Sequence, residues 1–133
     1  MSKPTTQDII RSLARMWNTF DFSHVEKHLA DDVVYESQFV FTPLEGKAAV
    51  AEYLKGKLET LRKACEEGSS IVTAEIGLHP HVPHEMIVLS QIRNGEADRL
   101  AVFPRIENHQ LTRIDLCIAP SPADAILTGE VPH

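Results

Sequence analysis

The feature of this sequence that most constrains its fold is a change of hydrophobic period near residue 70. Before that point, apolar residues recur every three or four positions over residues 5–20 and 46–66, which predicts two amphipathic helices. After it, four runs rich in β-branched residues predict strands over 71–79, 85–93, 97–107 and 110–118. Asn94-Gly95 between two of these runs indicates a hairpin, because a type I′ turn needs two positive φ angles. Helices followed by an antiparallel meander predict an α+β fold.

The segment over residues 28–65 supplies the remaining elements of the first half. Ser23-His24-Val25-Glu26 has the pattern of a capping box and predicts a short helix over 23–30, which the Asp31-Asp32 pair ends. Residues 33–41 predict a strand. Its alternation places Tyr35, Ser37 and Phe39 on one face, with Glu36 and Gln38 on the other.

Bulk composition excludes several classes of function. A length of 133 residues predicts one domain over 1–133, with the proline-containing residues 120–133 as a C-terminal arm or a frayed end. The formal net charge of −6 argues against partners such as nucleic acid or an anionic membrane, which need a basic face. The sequence lacks a secretory signal and a membrane-spanning run, so a cytoplasmic location is expected. Cys65 and Cys117 are interpreted as buried thiols.

Two segments carry a resemblance to a known family. Residues 22–35 (FSHVEKHLADDVVY) and 43–47 (PLEGK) are similar to the short helix, acidic turn, strand and glycine-opened long helix of the nuclear transport factor 2-like superfamily. This superfamily includes the SnoaL-like polyketide cyclases and the ketosteroid isomerases. The resemblance implies a cone-shaped fold in which three N-terminal helices pack on a curved, mostly antiparallel sheet. It also implies a homodimer formed through the sheet.

The enzymes of that superfamily suggest where catalytic groups would lie. The resemblance to ketosteroid isomerases puts Ser37 near their carboxylate base and Leu13 near their oxyanion-stabilising tyrosine. Neither side chain can replace its counterpart, so isomerase chemistry of that kind is disfavoured. The resemblance to epoxide hydrolases, which use an Asp–Arg–Asp set, makes Asp115, Arg113 and Arg105 catalytic candidates for a hydrolase or isomerase. The alternative interpretation is an ordinary cross-strand ladder of ion pairs on a solvent or dimer face.

Aromatic residues suggest a ligand pocket between the helices and the sheet. A hydroxyl among aromatic side chains is the kind of polar group that a mostly apolar site needs, so we expect binding of a small hydrophobic molecule. The candidate ligand-binding residues are Trp17, Tyr35, Ser37, Phe39, Tyr53 and Phe103. The mixed face of the sheet is predicted to be either a pocket wall or an interface, and to carry Glu75, Gln91, Arg93, Arg105, Arg113 and Asp115. A third hypothesis is a protein-interaction domain that binds a partner through this face.

The segment His79-Pro-His-Val-Pro-His84 raises the possibility of a metal site. The spacing can place two imidazoles on one side of an extended chain. However, the prolines suit a loop that joins two strands, and no cysteine or paired carboxylate is close in sequence. We therefore predict neither a functional metal site nor a cofactor.

Overall fold

The three helices lie against one side of a single sheet in this computed structural model, which describes residues 3–37, 42–118 and 121–133. The helices are α1 (Thr6–Thr19), α2 (Ser23–Glu26) and α3 (Lys47–Glu66). The strands are β1 (Leu29–Ser37), β2 (Leu44–Glu45), β3 (Ser70–Leu78), β4 (Met86–Arg93), β5 (Glu96–Glu107), β6 (Gln110–Cys117) and β7 (Ile126–Leu127). The α+β prediction is confirmed, and the four late strands agree with the expected runs to within one or two residues.

The strands form a curved mixed sheet in the order β2-β1-β6-β5-β4-β3-β7. Neighbouring strands are antiparallel except for β1 and β6, which are parallel. The β1–β6 pairing sets Tyr35 beside Ile114 and Ser37 beside Leu116. It therefore joins the strand from the first half of the chain to the end of the meander.

Two tight turns fix the register of the meander. Asn94 and Gly95 have φ angles of 51° and 81°, and Asn108 and His109 have φ angles of 51° and 61°. Each pair therefore has the two positive φ angles that a type I′ hairpin requires. The first turn pairs Arg93 with Glu96, so that Gln91 lies opposite Asp98 on the same face of the sheet.

The helix termini agree with the sequence in one case and differ in another. Thr5 and Asp8, whose types and spacing suit a capping box, form one at the start of α1, with the Asp8 amide donating to Thr5 Oγ1 at 3.0 Å. The capping box predicted at Ser23 is wrong. Phe22 is the N-cap of α2, no side chain caps this helix, and it ends at Glu26. The chain enters β1 at Leu29, before the acidic pair.

The last thirteen residues pack against the body of the protein. β7 pairs with the end of β3, and the Ile76 amide donates to the Glu130 carbonyl at 2.9 Å. Arg11 Nε of α1 donates to Glu130 Oε2 at 2.6 Å, and Asn18 Nδ2 donates to the Pro132 carbonyl at 2.7 Å. The arm is thus attached through both backbone and side-chain groups rather than frayed.

The main core lies between the helices and one face of the sheet, which we call the inner face. The inner face carries Ala74, Ile76, Ile87, Val102 and Ile114, and these pack against apolar residues of all three helices. The opposite, outer face carries a smaller buried cluster of Met86, Val88, Ala101 and Phe103. Among the described residues, no helix is both long and apolar enough to cross a membrane.

Candidate ligand site

A cavity of about 530 Å³ lies between α1, α3 and the inner face of the sheet. Its volume is in the range typical of sites for small organic molecules. The walls are mainly apolar. The apolar lining residues are Trp17, Leu61, Val72, Leu89, Ala97, Leu100, Leu116 and Ile118.

Hydroxyl groups from β1 and α3 meet in the wall of the cavity. The rings of Tyr35 and Tyr53 are 5.1 Å apart between centroids and tilted by 46°. Burial raises the pKa of Tyr35, its neighbour Tyr53 raises it further, and hydrogen bonding with Ser37 partly opposes these effects. The Tyr35 hydroxyl is therefore neutral at pH 7, and a neutral phenol is a hydrogen-bond donor as well as an acceptor.

The mouth of the cavity is polar and exposed. Lys57 of α3 lies one turn from both Tyr53 and Leu61, and it lines the cavity with them. Gln91 and Arg93 of β4 and Asp98 of β5 reach the mouth from the sheet. Arg93 Nη2 and Asp98 Oδ2 are 3.5 Å apart, with their side chains 59% and 72% exposed, so that this ion pair is weak.

The structure brings together four of the six predicted ligand-binding residues. Trp17, Tyr35, Ser37 and Tyr53 all line the cavity. Phe39 lies outside the described residues. Phe103 is on the outer face, where its ring contacts His79 and His81 at centroid distances of 5.3 and 5.4 Å. Strand alternation explains this placement, because Phe103 follows the inward-facing Val102 in β5.

The histidines of the β3–β4 loop have structural partners. His79 is buried, its Nδ1 accepts from the His81 amide at 3.0 Å, and its Nε2 lies 3.0 Å from the Ser121 carbonyl. His84 Nδ1 is 2.6 Å from the Glu85 carbonyl. The described residues contain no group of three or more side chains suited to hold a metal ion. His79 therefore links the β3–β4 loop to Ser121 of the arm, next to Phe103 of the outer face.

The three catalytic candidates also lie on the outer face. Arg113 Nε donates to both oxygens of Asp115 at 3.0 Å, and Arg113 Nη2 donates to Glu36 Oε2 at 2.6 Å. The hydrogen bonds with Asp115 raise the pKa of Arg113 most strongly, with Glu36 adding to the effect. Arg105 lies beside Arg113 across β5 and β6. The set does not face the cavity, and Arg113 with Asp115 and the cross-strand Glu36 forms the ion-pair ladder that was the alternative interpretation.

Comparison with known proteins identifies the fold. No protein-family model matches the sequence, and no curated relative is found. A solved nuclear transport factor 2-like protein of unknown function from Cytophaga hutchinsonii is similar in structure, with a TM-score of 0.63 at 13% identity over 92% of this chain and 96% of that one. This chain has the nuclear transport factor 2-like fold. The resemblance predicted from the sequence is confirmed at that level.

Two further structures share the nuclear transport factor 2-like fold with this chain. One is a candidate polyketide cyclase from Sinorhizobium meliloti, with a TM-score of 0.58 at 13% identity over 83% of this chain and 94% of that one. The other is a protein from Catenulispora acidiphila with a ketosteroid isomerase-like fold, solved in complex with trimethylamine. It has a TM-score of 0.56 at 15% identity over 85% of this chain and 86% of that one. At such identities the likeness concerns the fold.

The polar residues at the mouth of the cavity are not among the predicted ligand-binding residues. Gln91 and Arg93 were expected on the mixed face with Arg113, and that expectation is wrong: both lie on the inner face with Leu89. The sequence did contain the signal. Counting in steps of two from the apolar Leu89 reaches Gln91 and Arg93, and the Asn94-Gly95 turn then sets Asp98 opposite Gln91. Lys57 carried no comparable signal, because exposed helix lysines are common.

Proposed function

We propose that this protein binds a small hydrophobic molecule in the cavity between the helices and the inner face. The observation that carries the proposal is a cavity of about 530 Å³ whose apolar walls contain one group of hydroxyls, those of Tyr35, Ser37 and Tyr53. A mostly apolar site with few polar groups can enclose a hydrophobic molecule and orient it by one or two hydrogen bonds. We further propose that residues 1–133 act as one domain.

The polar groups of the cavity favour binding over hydrolysis or proton abstraction. The one acid among the described lining residues is Asp98, which is exposed at the mouth. Ser37 occupies the position where the superfamily resemblance puts a carboxylate base, and a serine hydroxyl does not act as a base at neutral pH without an activating partner. The alternative, a hydrolase or isomerase that uses Asp115 with Arg113, receives no support from geometry, because these side chains lie on the other side of the sheet.

The Catenulispora acidiphila structure supports the proposal in another way. That protein shares the fold and was solved in complex with trimethylamine. It is consistent with the idea that a small organic molecule can occupy a protein of this architecture. The lining residues of the present chain determine which ligand it binds.

We also propose that two copies of the chain associate through the outer face. Ile71 and Ile92 are paired across β3 and β4 on this face and are 61% and 40% exposed. Exposed apolar residues in register favour association through that surface. Sedimentation should report a dimer, and I71E should shift it to a monomer while ligand binding persists. A monomeric wild-type protein would contradict this proposal, and copurification of another protein would favour the interaction-domain hypothesis.

A thermal-shift screen tests the binding proposal. Ligands that bind only the folded state raise the melting temperature, by an amount that grows with concentration above Kd. A panel of neutral aromatic and alicyclic compounds should contain members that raise the melting temperature of the wild type. The matched variant L89W, which places a larger side chain in the cavity wall, should lose these shifts while remaining folded. If no compound shifts the wild type, the proposal fails.

A further inference from the structure

The mouth of the cavity differs in charge from the rest of the chain. The sequence contains 19 acidic and 13 Lys and Arg residues, whereas the lining residues include Lys57, Arg93 and Arg99 against the single acid Asp98. Strand alternation directs the Arg99 side chain toward the outer face, since it pairs with Ser90. Lys57 and Arg93 carry the positive charge at the mouth, and Asp98 together with Glu96, which is paired with Arg93 across the turn, offsets part of it.

Lys57 is without an acidic partner in the part of the chain that the structure describes. The neighbours at three and four positions along α3 are Tyr53, Leu54, Thr60 and Leu61, none of which is acidic. No described residue forms an ion pair with Lys57, whereas Lys55 contacts Glu26 and Arg62 contacts Glu59 and Glu66. The residues outside the described ranges include no Asp or Glu. The Lys57 ammonium is thus available to a ligand.

Resting on the proposed function, we infer that the ligand is an amphipathic anion. Its apolar body occupies the cavity, and a carboxylate or sulfonate at one end lies at the mouth near Lys57 and Arg93. The hydroxyls of Tyr35, Ser37 and Tyr53 contact the opposite, uncharged part of the ligand. An anion in this place gains a charge-assisted hydrogen bond from Lys57, and it can replace Asp98 as the partner of Arg93.

The same residues indicate which end of the ligand lies deep in the cavity. The cavity wall offers hydroxyls and apolar groups, and Arg93 is at its rim. An anionic group deep in the cavity would therefore lose its hydration without a cation to compensate the loss. The anionic end is therefore expected at the mouth, where solvent and Lys57 both stabilise it. In this orientation, a substitution of Lys57 should weaken the binding of an anionic ligand and have little effect on the binding of a neutral one.

Two dyes that differ only in a charged group test this inference. 8-Anilinonaphthalene-1-sulfonate carries a sulfonate on the same phenylnaphthylamine body as the neutral N-phenyl-1-naphthylamine. We expect the wild type to bind the sulfonate more tightly than the neutral dye, with a preference that decreases as salt is added. In K57E the affinity for the sulfonate should fall about three- to tenfold, with little change for the neutral dye.

A charge-matched control separates the local effect from net charge. K63E makes the same change on the same helix, at an exposed position that does not line the cavity. It should leave both affinities within about twofold of the wild type, and K57M should give an intermediate loss for the sulfonate. Equal losses in K63E and K57E, or an unchanged sulfonate affinity in K57E, would overturn the inference. If neither dye binds the wild type, the proposed function itself fails.

Discussion

The inner and outer faces of the same sheet use polar residues in opposite ways. On the outer face, Glu36, Arg113 and Asp115 satisfy one another in a half-exposed ladder. On the inner face, Tyr35 is buried and its hydroxyl lies with those of Ser37 and Tyr53 in the wall of a cavity. Glu36 lies between Tyr35 and Ser37 in β1, and successive residues of a strand point to opposite faces. Neighbouring residues of one strand therefore lie in the two different environments.

Charge is therefore a poor guide to the face that carries the cavity in this protein. The residues with the most reactive side chains are paired with each other and point away from the cavity. The residues that surround the cavity are mostly apolar or hydroxyl-bearing, and they resemble core residues in the sequence. The two faces are expected to differ in their contributions to stability and to ligand binding.

The largest expected effect is on stability. W17A removes a side chain that is 2% exposed and packs in the main core, and the loss should be about 3–5 kcal/mol in the free energy of unfolding. R113A breaks a ladder whose members are partly in solvent, and its cost should be about 1 kcal/mol or less. Urea denaturation of both variants measures the contrast. Equal losses would show that the outer ladder is as important to stability as the core.

The next effect concerns ligand affinity. Y53F removes one hydroxyl from the cavity wall and should weaken binding of N-phenyl-1-naphthylamine or a hit from the ligand panel by about two- to tenfold, the value of one hydrogen bond. F103L changes an aromatic residue of the outer face and should leave that affinity unchanged, although it lowers stability. Isothermal titration provides both values. A loss of affinity in F103L with none in Y53F would place the ligand on the outer face.

The smallest effect is a change in pH dependence. His28 is buried beside Ser12 of α1, with Nε2 3.4 Å from Ser12 Oγ. Burial lowers its pKa, Lys27 adds to this effect, and Asp8 opposes it. In the unfolded chain the histidine has a pKa of about 6.5, so as the pH falls below that value the unfolded chain binds more protons than the folded protein does. The free energy of unfolding therefore decreases.

A variant isolates the contribution of His28. H28Q should show a shallower loss of stability than the wild type as the pH is lowered from about 6.5 to the depressed folded pKa. The two proteins should have parallel profiles above pH 7, where the imidazole is neutral in both states. Thermal unfolding across this pH range measures the difference. Identical profiles would contradict the assignment of His28 as a buried neutral imidazole.

Much of the fold could be predicted from sequence because its signals are local. The capping box at Thr5, the hydrophobic stripe of α3 and the Asn94-Gly95 turn each specify their own conformation within a few residues. The end of α2 was harder to predict, since Leu29 extends β1 by pairing with Leu111 of β6, which is distant in sequence. Packing of the C-terminal arm was also missed, because its contacts are with β3 and α1.

The candidate site was only partly predictable for a related reason. Trp17, Tyr35, Ser37 and Tyr53 could be selected as aromatic or hydroxyl residues on inward faces. Phe103, predicted for the pocket because it is aromatic, lies on the outer face because it follows the inward-facing Val102 in β5. Whether a cavity remains between helices and sheet depends on how side chains fill a volume, and that information is not local in the sequence.

The most direct test of the central claim uses Trp17, which is the one tryptophan of the chain and lines the cavity. Its fluorescence overlaps the absorption of N-phenyl-1-naphthylamine, so a dye bound in the cavity should quench Trp17 through energy transfer. We expect saturable quenching with one dye per chain, and a loss of that quenching in L89W. Absence of saturable quenching in the wild type, or identical quenching in a folded L89W protein, would contradict ligand binding between the helices and the inner face.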